Sequence, residues 1–342
     1  MRPGDFSTHD WIGPASRTLP TTDLYFLNAC RRWLGSRPFY PAPIRRVGAN
    51  SFTCGDSIIV SRRDSPAVVE RLLRKSCGQF CYIIDDDLWA LDDDTSLPVA
   101  YRQRLITLRD GQHRRLTERA DTIIVSSSVL ADVYRDRGHR VVQLDPFWSE
   151  ALADGSHFDP LADGAPLEVG YLGSSSHASD RGFVLQVFEE LAARDLNLRL
   201  TIIGTADVPA HLRKHPKLQI LKHLPWPLYR KRLARQRFHV LLYPSLPTAF
   251  NKARSFNKLI EHAVAGGVGI YSDSWNFAQD IEANKAGFLL ENTVEHWADF
   301  LGAIDRTGLK ASSNSTLAYT RELNLTSRSK QLEFWKKTLK LS

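Results

Sequence analysis

Three consecutive aspartates, Asp85-Asp86-Asp87, directly follow the apolar run FCYII. Carboxylates crowded at a strand end repel one another unless a cation, a hydrogen-bond donor or solvent compensates them. Such a cluster can hold a metal, act as a general base or accept bonds from hydroxyl groups; it can also merely cap a solvated loop. Asp86, with Asp85 and Asp87 beside it, is therefore the candidate catalytic group. A second stretch, Gly170-Tyr171-Leu172-Gly173-Ser174-Ser175-Ser176-His177, reads as a strand ending in glycine and small hydroxyl residues, with a helix opening near Asp180. Backbone amides in that turn favour an anion such as a diphosphate. Arg181 adds a charged donor, and Gly173, Ser174, His177 and Arg181 are its candidate contacts. The third stretch, NKARSFNKLIE at 251–261, spaces Arg254 and Lys258 four apart on one predicted helix face, with Glu261 three further on. Two cations at a helix start suit a diphosphate, and a carboxylate one turn later suits a ribose diol. The same Lys and Glu also suit a plain surface pair. Trp11-Ile12-Gly13-Pro14 is a weaker fourth loop. No GxGxxG fingerprint is present, which disfavours a nicotinamide dehydrogenase.

The elements that must carry these loops alternate. Short apolar runs at 56–61, 80–84, 122–126 and 140–144 read as buried strands, separated by helices at 65–75, 101–119 and 129–137. Residues 149–166 hold Gly, Pro, Asp and Ser without periodicity and read as a linker. The rhythm restarts with strands at 167–172, 198–203, 218–221, 239–243 and 268–271, interleaved with helices at 180–194, 227–236 and 255–265. Strands alternating with helices imply parallel sheets built from βαβ units. The expected class is α/β, with two Rossmann-like domains facing across a cleft: residues 1–148, a linker at 149–166, a second domain at 167–310, and C-terminal helices at 311–342 packing back toward the first. In such sheets, ligands bind beyond the C-terminal strand ends.

Composition narrows the class. Hydrophobic residues make up 43% and charged residues 24%, which excludes a disordered chain. No apolar run approaches the length of a membrane span, and the first residues lack the apolar core of a signal peptide. Cys30, Cys54, Cys77 and Cys81 are too few for a disulfide framework and read as free thiols in a reducing cytoplasm. The net charge of +7 favours an anionic partner. Nucleic acid is disfavoured, because acidic runs interrupt the surface and no named motif appears. Arg328, Leu332, Trp335 and Leu339 recur at helical spacing beside Lys336, Lys337 and Lys340. That face suits either an anionic membrane surface or packing against the first domain.

Taken in order, these stretches resemble the GT-B glycosyltransferases, particularly the retaining, family-4-like group of bacterial polysaccharide synthesis. The resemblance rests on FCYIIDDDLW and ADTIIVSSSVL in the first half. In the second half it rests on VGYLGSSSHASD, Ile203-Gly204, Pro225-Trp226, Leu242-Tyr243-Pro244-Ser245 and RSFNKLIEHAVAG. It implies transfer of a sugar from a nucleoside diphosphate sugar to a glycan or lipid-linked acceptor, without a cofactor or metal. It makes Gly173, Ser174, His177, Arg181, Arg254, Lys258 and Glu261 the donor-binding set. Glu261 matches the second glutamate of the family's paired motif, while the first falls at Ala253. Asp86 takes the place of the histidine beside the anomeric centre. Two other classes compete: a metal-dependent GT-A transferase using Asp85 or Asp87, and a nucleotide-sugar or glycan-binding protein without catalysis.

Overall fold

The computed structural model describes residues 17–35, 43–92, 94, 96–161, 163–173, 178–194, 196–204 and 208–342. Ser174, His177 and the Trp11–Pro14 loop lie outside them.

Two six-stranded sheets form the framework. The first runs in sequence order: β1 (Ile44–Arg46), β2 (Ser51–Cys54), β3 (Ser57–Ser61), β4 (Gln79–Ile84), β5 (Thr122–Val125) and β6 (Val141–Gln143). β1 to β3 pair antiparallel, and β3 to β6 pair parallel. The antiparallel pair β1–β2 was not expected, because three- and four-residue strands give too short an alternation to read. The second sheet comprises β7 (Leu167–Leu172), β8 (Leu198–Gly204), β9 (Leu218–Lys222), β10 (Val240–Tyr243), β11 (Val268–Ser272) and β12 (Phe288–Leu290). Its order is β9-β8-β7-β10-β11-β12, all parallel. The direction of winding reverses between β7 and β10, which opens a crevice at their C-terminal ends.

Strand periodicity sorts the core into layers. In the first sheet, Ile58, Val60, Phe80, Tyr82, Ile84, Ile123 and Val125 face the helices Pro66–Leu73, Val99–Leu108 and Ser128–Arg135. The alternate residues Ile59, Cys81, Ile83 and Ile124 face the opposite way, into a core shared with the second sheet. Successive crossovers of one hand place their helices on a single face, so something else must cover the other. The helical turns of residues 20–33 and the helix Leu309–Leu339 supply that cover, through Leu24, Phe26, Trp335 and Leu339. The Trp335 indole stands edge-on to Phe26 at 4.8 Å and donates to the Tyr25 carbonyl at 2.9 Å. At its other end the same helix places Leu309 in the core of the second sheet. One helix of 31 residues thus straps both sheets.

This packing consumes the apolar stripe at the C-terminus. Trp335 and Leu339 are buried, Leu332 is half-buried, and Lys336, Lys337 and Lys340 stay exposed. Among the described residues no helix is long and apolar enough to cross a membrane. The aperiodic stretch at 149–166 is not loose. Residues 156–161 form a helical turn whose Phe158 and Leu161 enter the second core, and His157 bonds the Phe238 carbonyl at 2.8 Å.

Candidate functional site

A cleft of about 620 Å³ lies between the two sheets, a size suited to a small-molecule ligand. The switch-point crevice forms one wall with Leu172, Gly173, Arg254, Asn257, Lys258 and Glu261. The ends of β3 and β4 form the other, with Arg62, Arg63, Asp85 and Asp86.

The switch-point wall is set by close backbone approach and by the turn between two helices. At Gly204, which ends β8, a side chain would meet the Gly173 carbonyl at 2.6 Å, so only glycine lets the two strand ends close up. The predicted helix at 255–265 is present as Asn257–Ala265, and a separate short helix, Ala249–Lys252, precedes it. Arg254 sits in the bend between them. It does not share a helix face with Lys258, as the i, i+4 spacing implied, yet both line the cleft. Gly266 ends the second piece at φ 86°, a left-handed cap that suits glycine.

Lys258 and Glu261 do share a face. The Lys258 ammonium donates to the Leu172 carbonyl at 2.6 Å and to Glu261 Oε2 at 2.5 Å. The Tyr229 hydroxyl donates to Glu261 Oε1 at 2.6 Å, and burial together with that carboxylate pushes the Tyr229 pKa well up. Both carboxylate oxygens of Glu261 therefore already accept bonds, while retaining lone pairs for a diol. Ser255, next to Arg254, bonds Tyr25 of the first sheet's cover at 3.0 Å. Burial pulls the Arg254 pKa down, but Tyr243, Asp86, Tyr101 and Asp180 outweigh it and hold the group charged.

Across the cleft the three aspartates diverge. Asp86, 7% exposed, pairs with the Arg62 guanidinium. Asp85 accepts from Thr21 Oγ1 at 2.7 Å and from Arg62 at 3.4 Å. Burial first, and then the Asp86 charge, raise the Asp85 pKa above the usual carboxylate value. Asp87 turns away and accepts from the amides of Trp89 and Ala90 at 2.9 and 3.2 Å. It caps the loop and does not line the cleft. Arg181 also stays out. Its helix begins at Ala178, which turns Asp180 and Arg181 inward, and Arg181 is 2% exposed.

Two groups that the sequence reading passed over organise the aspartate wall. Arg62 follows β3 as the aspartates follow β4, and its φ of 56° is uncommon for a residue with a side chain. Its amide donates to the Ile83 carbonyl at 2.8 Å, and its own carbonyl accepts from the Tyr82 hydroxyl at 3.0 Å. Tyr82 in turn contacts His113 Nδ1 at 2.9 Å, and Tyr134 contacts Nε2 at 3.1 Å. With the Tyr82 proton committed to Arg62, Nδ1 carries the imidazole proton and Nε2 accepts from Tyr134. Burial drives the His113 pKa down to about 3, so the ring is neutral near pH 7.

Among the described residues no group of three or more His, Cys, Asp or Glu is placed to hold a metal ion. The chemistry available is that of a cationic crevice facing buried carboxylates. It can bind a diphosphate on one wall and orient or deprotonate a hydroxyl on the other.

No family model matches the sequence, and no curated protein matches it. The fold does match solved structures. A TarM variant from S. aureus, in complex with Fondaparinux, alpha-GlcNAc-glycerol and UDP, superimposes with a TM-score of 0.55 at 15% identity over 82% of this chain and 55% of that one. Sucrose-phosphate synthase from Thermosynechococcus elongatus gives 0.57 at 12% identity, over 84% of this chain and 74% of that one. Anabaena Alr3699/HepE, in complex with UDP and glucose, gives 0.52 at 10% identity, over 81% and 77%. The chain spans about half the length of TarM. Two Rossmann-like domains facing across a cleft make this a GT-B fold, and a GT-A arrangement is thereby set aside.

Proposed function

We propose that the protein is a glycosyltransferase that moves a sugar from a nucleoside diphosphate sugar to a glycan or lipid-linked acceptor, with retention and without a metal. The observation that carries this reading is the meeting of Arg254, Lys258 and Gly173 at the switch point of the second sheet, directly opposite Asp85 and Asp86. In this reading residues 167–310 hold the donor. Lys258 and Arg254 neutralise the leaving diphosphate beside Gly173, and Glu261 holds the ribose. Cations preorganised at the cleft stabilise the charge that develops as the bond to the sugar breaks. Residues 1–148 hold the acceptor, and Asp86 orients its hydroxyl or takes its proton. Two of the proteins that share the fold were crystallised with UDP, which supports a nucleotide in this cleft.

One observation favours a second reading, a nucleotide-sugar-binding protein without turnover. Ala253 is fully buried, and its carbonyl accepts from Ser127 at 2.6 Å, where the resemblance calls for a second carboxylate. A thermal-shift screen against nucleoside diphosphates and their sugars, followed by donor hydrolysis with and without acceptor, separates the two. Ligand-induced stabilisation with turnover, unchanged by EDTA, supports the transferase. Stabilisation without turnover supports the binder, and no stabilisation by any nucleotide refutes both. The protein would work in the cytoplasm. With its apolar stripe buried, the last helix offers an anionic membrane chiefly exposed cations such as Arg328, Lys336 and Lys337.

A further inference from the structure

We infer that the N-terminal wall of the cleft is an anion site for a phosphate ester on the acceptor, an inference that rests on the transfer reaction proposed above. Six cationic side chains line the cleft, Arg17, Arg62, Arg63, Arg104, Arg254 and Lys258, against the three carboxylates Asp85, Asp86 and Glu261. The carboxylates are spoken for. Asp85 and Asp86 face Arg62, and Glu261 pairs with Lys258. Among the described residues no carboxylate forms an ion pair with Arg17, Arg63 or Arg104.

Arg104 shows that this is a matter of placement rather than composition. Its neighbours Arg102 and Arg109, on the same helical stretch, face away and are tied down. Arg102 donates to the carbonyls of Leu91 and Asp92, and Arg109 pairs with Asp92 and Asp110. Arg104 instead lines the rim of the cleft, exposed, and rests over the Tyr101 ring at 5.0 Å. Partial burial, and then the charges of Arg62 and Arg104, pull the Arg63 pKa below its usual value. Arg17, Arg63 and Arg104 are exposed at the rim of the cleft, where an anion would bridge like charges that otherwise repel one another. A carboxylate fills one guanidinium fork, whereas a phosphate monoester offers two charges and three oxygens to several. The donor diphosphate has its own cations on the opposite wall, so these arginines are left for the second substrate.

The full chain, titrated calorimetrically, tests this with two phosphate probes and their uncharged counterparts. The probes are glucose 6-phosphate against methyl glucoside, and a short isoprenyl phosphate in detergent against the matching isoprenol. Each titration is run with and without saturating UDP. The expected result is binding of a phosphate probe but not of its counterpart, persisting with UDP present. Which probe binds more tightly tells whether the phosphate belongs to a soluble sugar or to a lipid. Joint Arg63→Ala and Arg104→Ala substitution is expected to weaken that binding roughly tenfold or more, with an unchanged melting temperature, and joint substitution to Lys to restore part of it. Equal binding of charged and uncharged probes, competitive displacement by UDP, or undiminished affinity in the Ala variant would overturn the inference. Should no nucleoside diphosphate bind at all, the transfer reading fails, and the titrations without nucleotide still decide the anion site.

Discussion

Arg62 and Asp86 form an ion pair across the C-terminal ends of adjacent parallel strands, and both line the cleft between the sheets. The pair is nearly buried, and the Tyr82–His113–Tyr134 chain holds the Arg62 backbone from behind. Burial pulls the Arg62 pKa down, but Asp86 and Asp85 together hold it above the usual guanidinium value. Asp86 is thus a carboxylate held against a fixed positive charge, which compensates its repulsion with Asp85.

Replacing Asp86 with Asn is expected to lower turnover by roughly 10²–10⁴, the range for losing a general base. Donor affinity should stay near that of the parent, because Asp86 stands on the wall opposite Lys258 and Glu261. Steady-state kinetics together with nucleotide titration would check this, and near-normal turnover in a folded variant would remove Asp86 from the reaction.

Glu261→Ala is expected to weaken nucleoside diphosphate binding by about 1.5–3 kcal/mol, the range for a hydrogen bond to a charged group. It also frees the Lys258 ammonium and the Tyr229 hydroxyl. Lys258→Ala should weaken the same ligand through lost charge. Calorimetric titration measures both, and unchanged affinity in either variant would unseat the donor assignment.

His113 ties stability to pH. Its folded pKa of about 3 lies below the unfolded value near 6.5, so its contribution is complete above pH 6.5 and fades as pH falls toward 3. Between pH 6.5 and pH 5 this single group should cost about 2 kcal/mol of stability. Urea melts at pH 7.5 and pH 5 should therefore converge in His113→Gln by about that amount relative to the parent. An unchanged pH dependence would show that the ring does not carry this linkage.

Arg230 is buried between Asp23, which precedes the first sheet, and Glu150, which follows it. Asp23 also accepts from Trp226 Nε1 at 2.7 Å. Removing Arg230 leaves two carboxylates without their shared cation, only Asp23 keeping a donor in Trp226, at a cost of about 3–5 kcal/mol. Arg230→Met should lower the melting temperature and speed proteolysis within 149–166. A melting temperature matching the parent's would mean that solvent already screens the cluster.

Trp335→Ala should destabilise the fold by about 3–5 kcal/mol, because it opens a cavity under the strap and orphans the Tyr25 carbonyl. Chemical denaturation measures this. Liposome sedimentation of the parent checks the membrane alternative, and low binding is expected from a helix whose apolar face is already used.

The alternation of strand and helix, the two-part division and the strand-end placement of the aspartates were all legible in the sequence. Each is a local pattern: an apolar run of fixed period, or a glycine-rich turn after it. Lys258 and Glu261 were legible for the same reason, since three residues on a helix are neighbours wherever that helix packs. What the carboxylates and cations face was not legible, because partners at long range are chosen by sheet order. Only the reversal between β7 and β10 brings Gly173 beside Lys258, and only the parallel register of β3 with β4 puts Arg62 against Asp86. The same tertiary choice turned Asp87 and Arg181 inward, though their sequence positions matched those of residues that stayed in the cleft. The last helix makes the point in reverse. Its apolar stripe was visible as a pattern, but whether it met lipid or protein depended on one face of the first sheet being left bare by crossovers of a single hand.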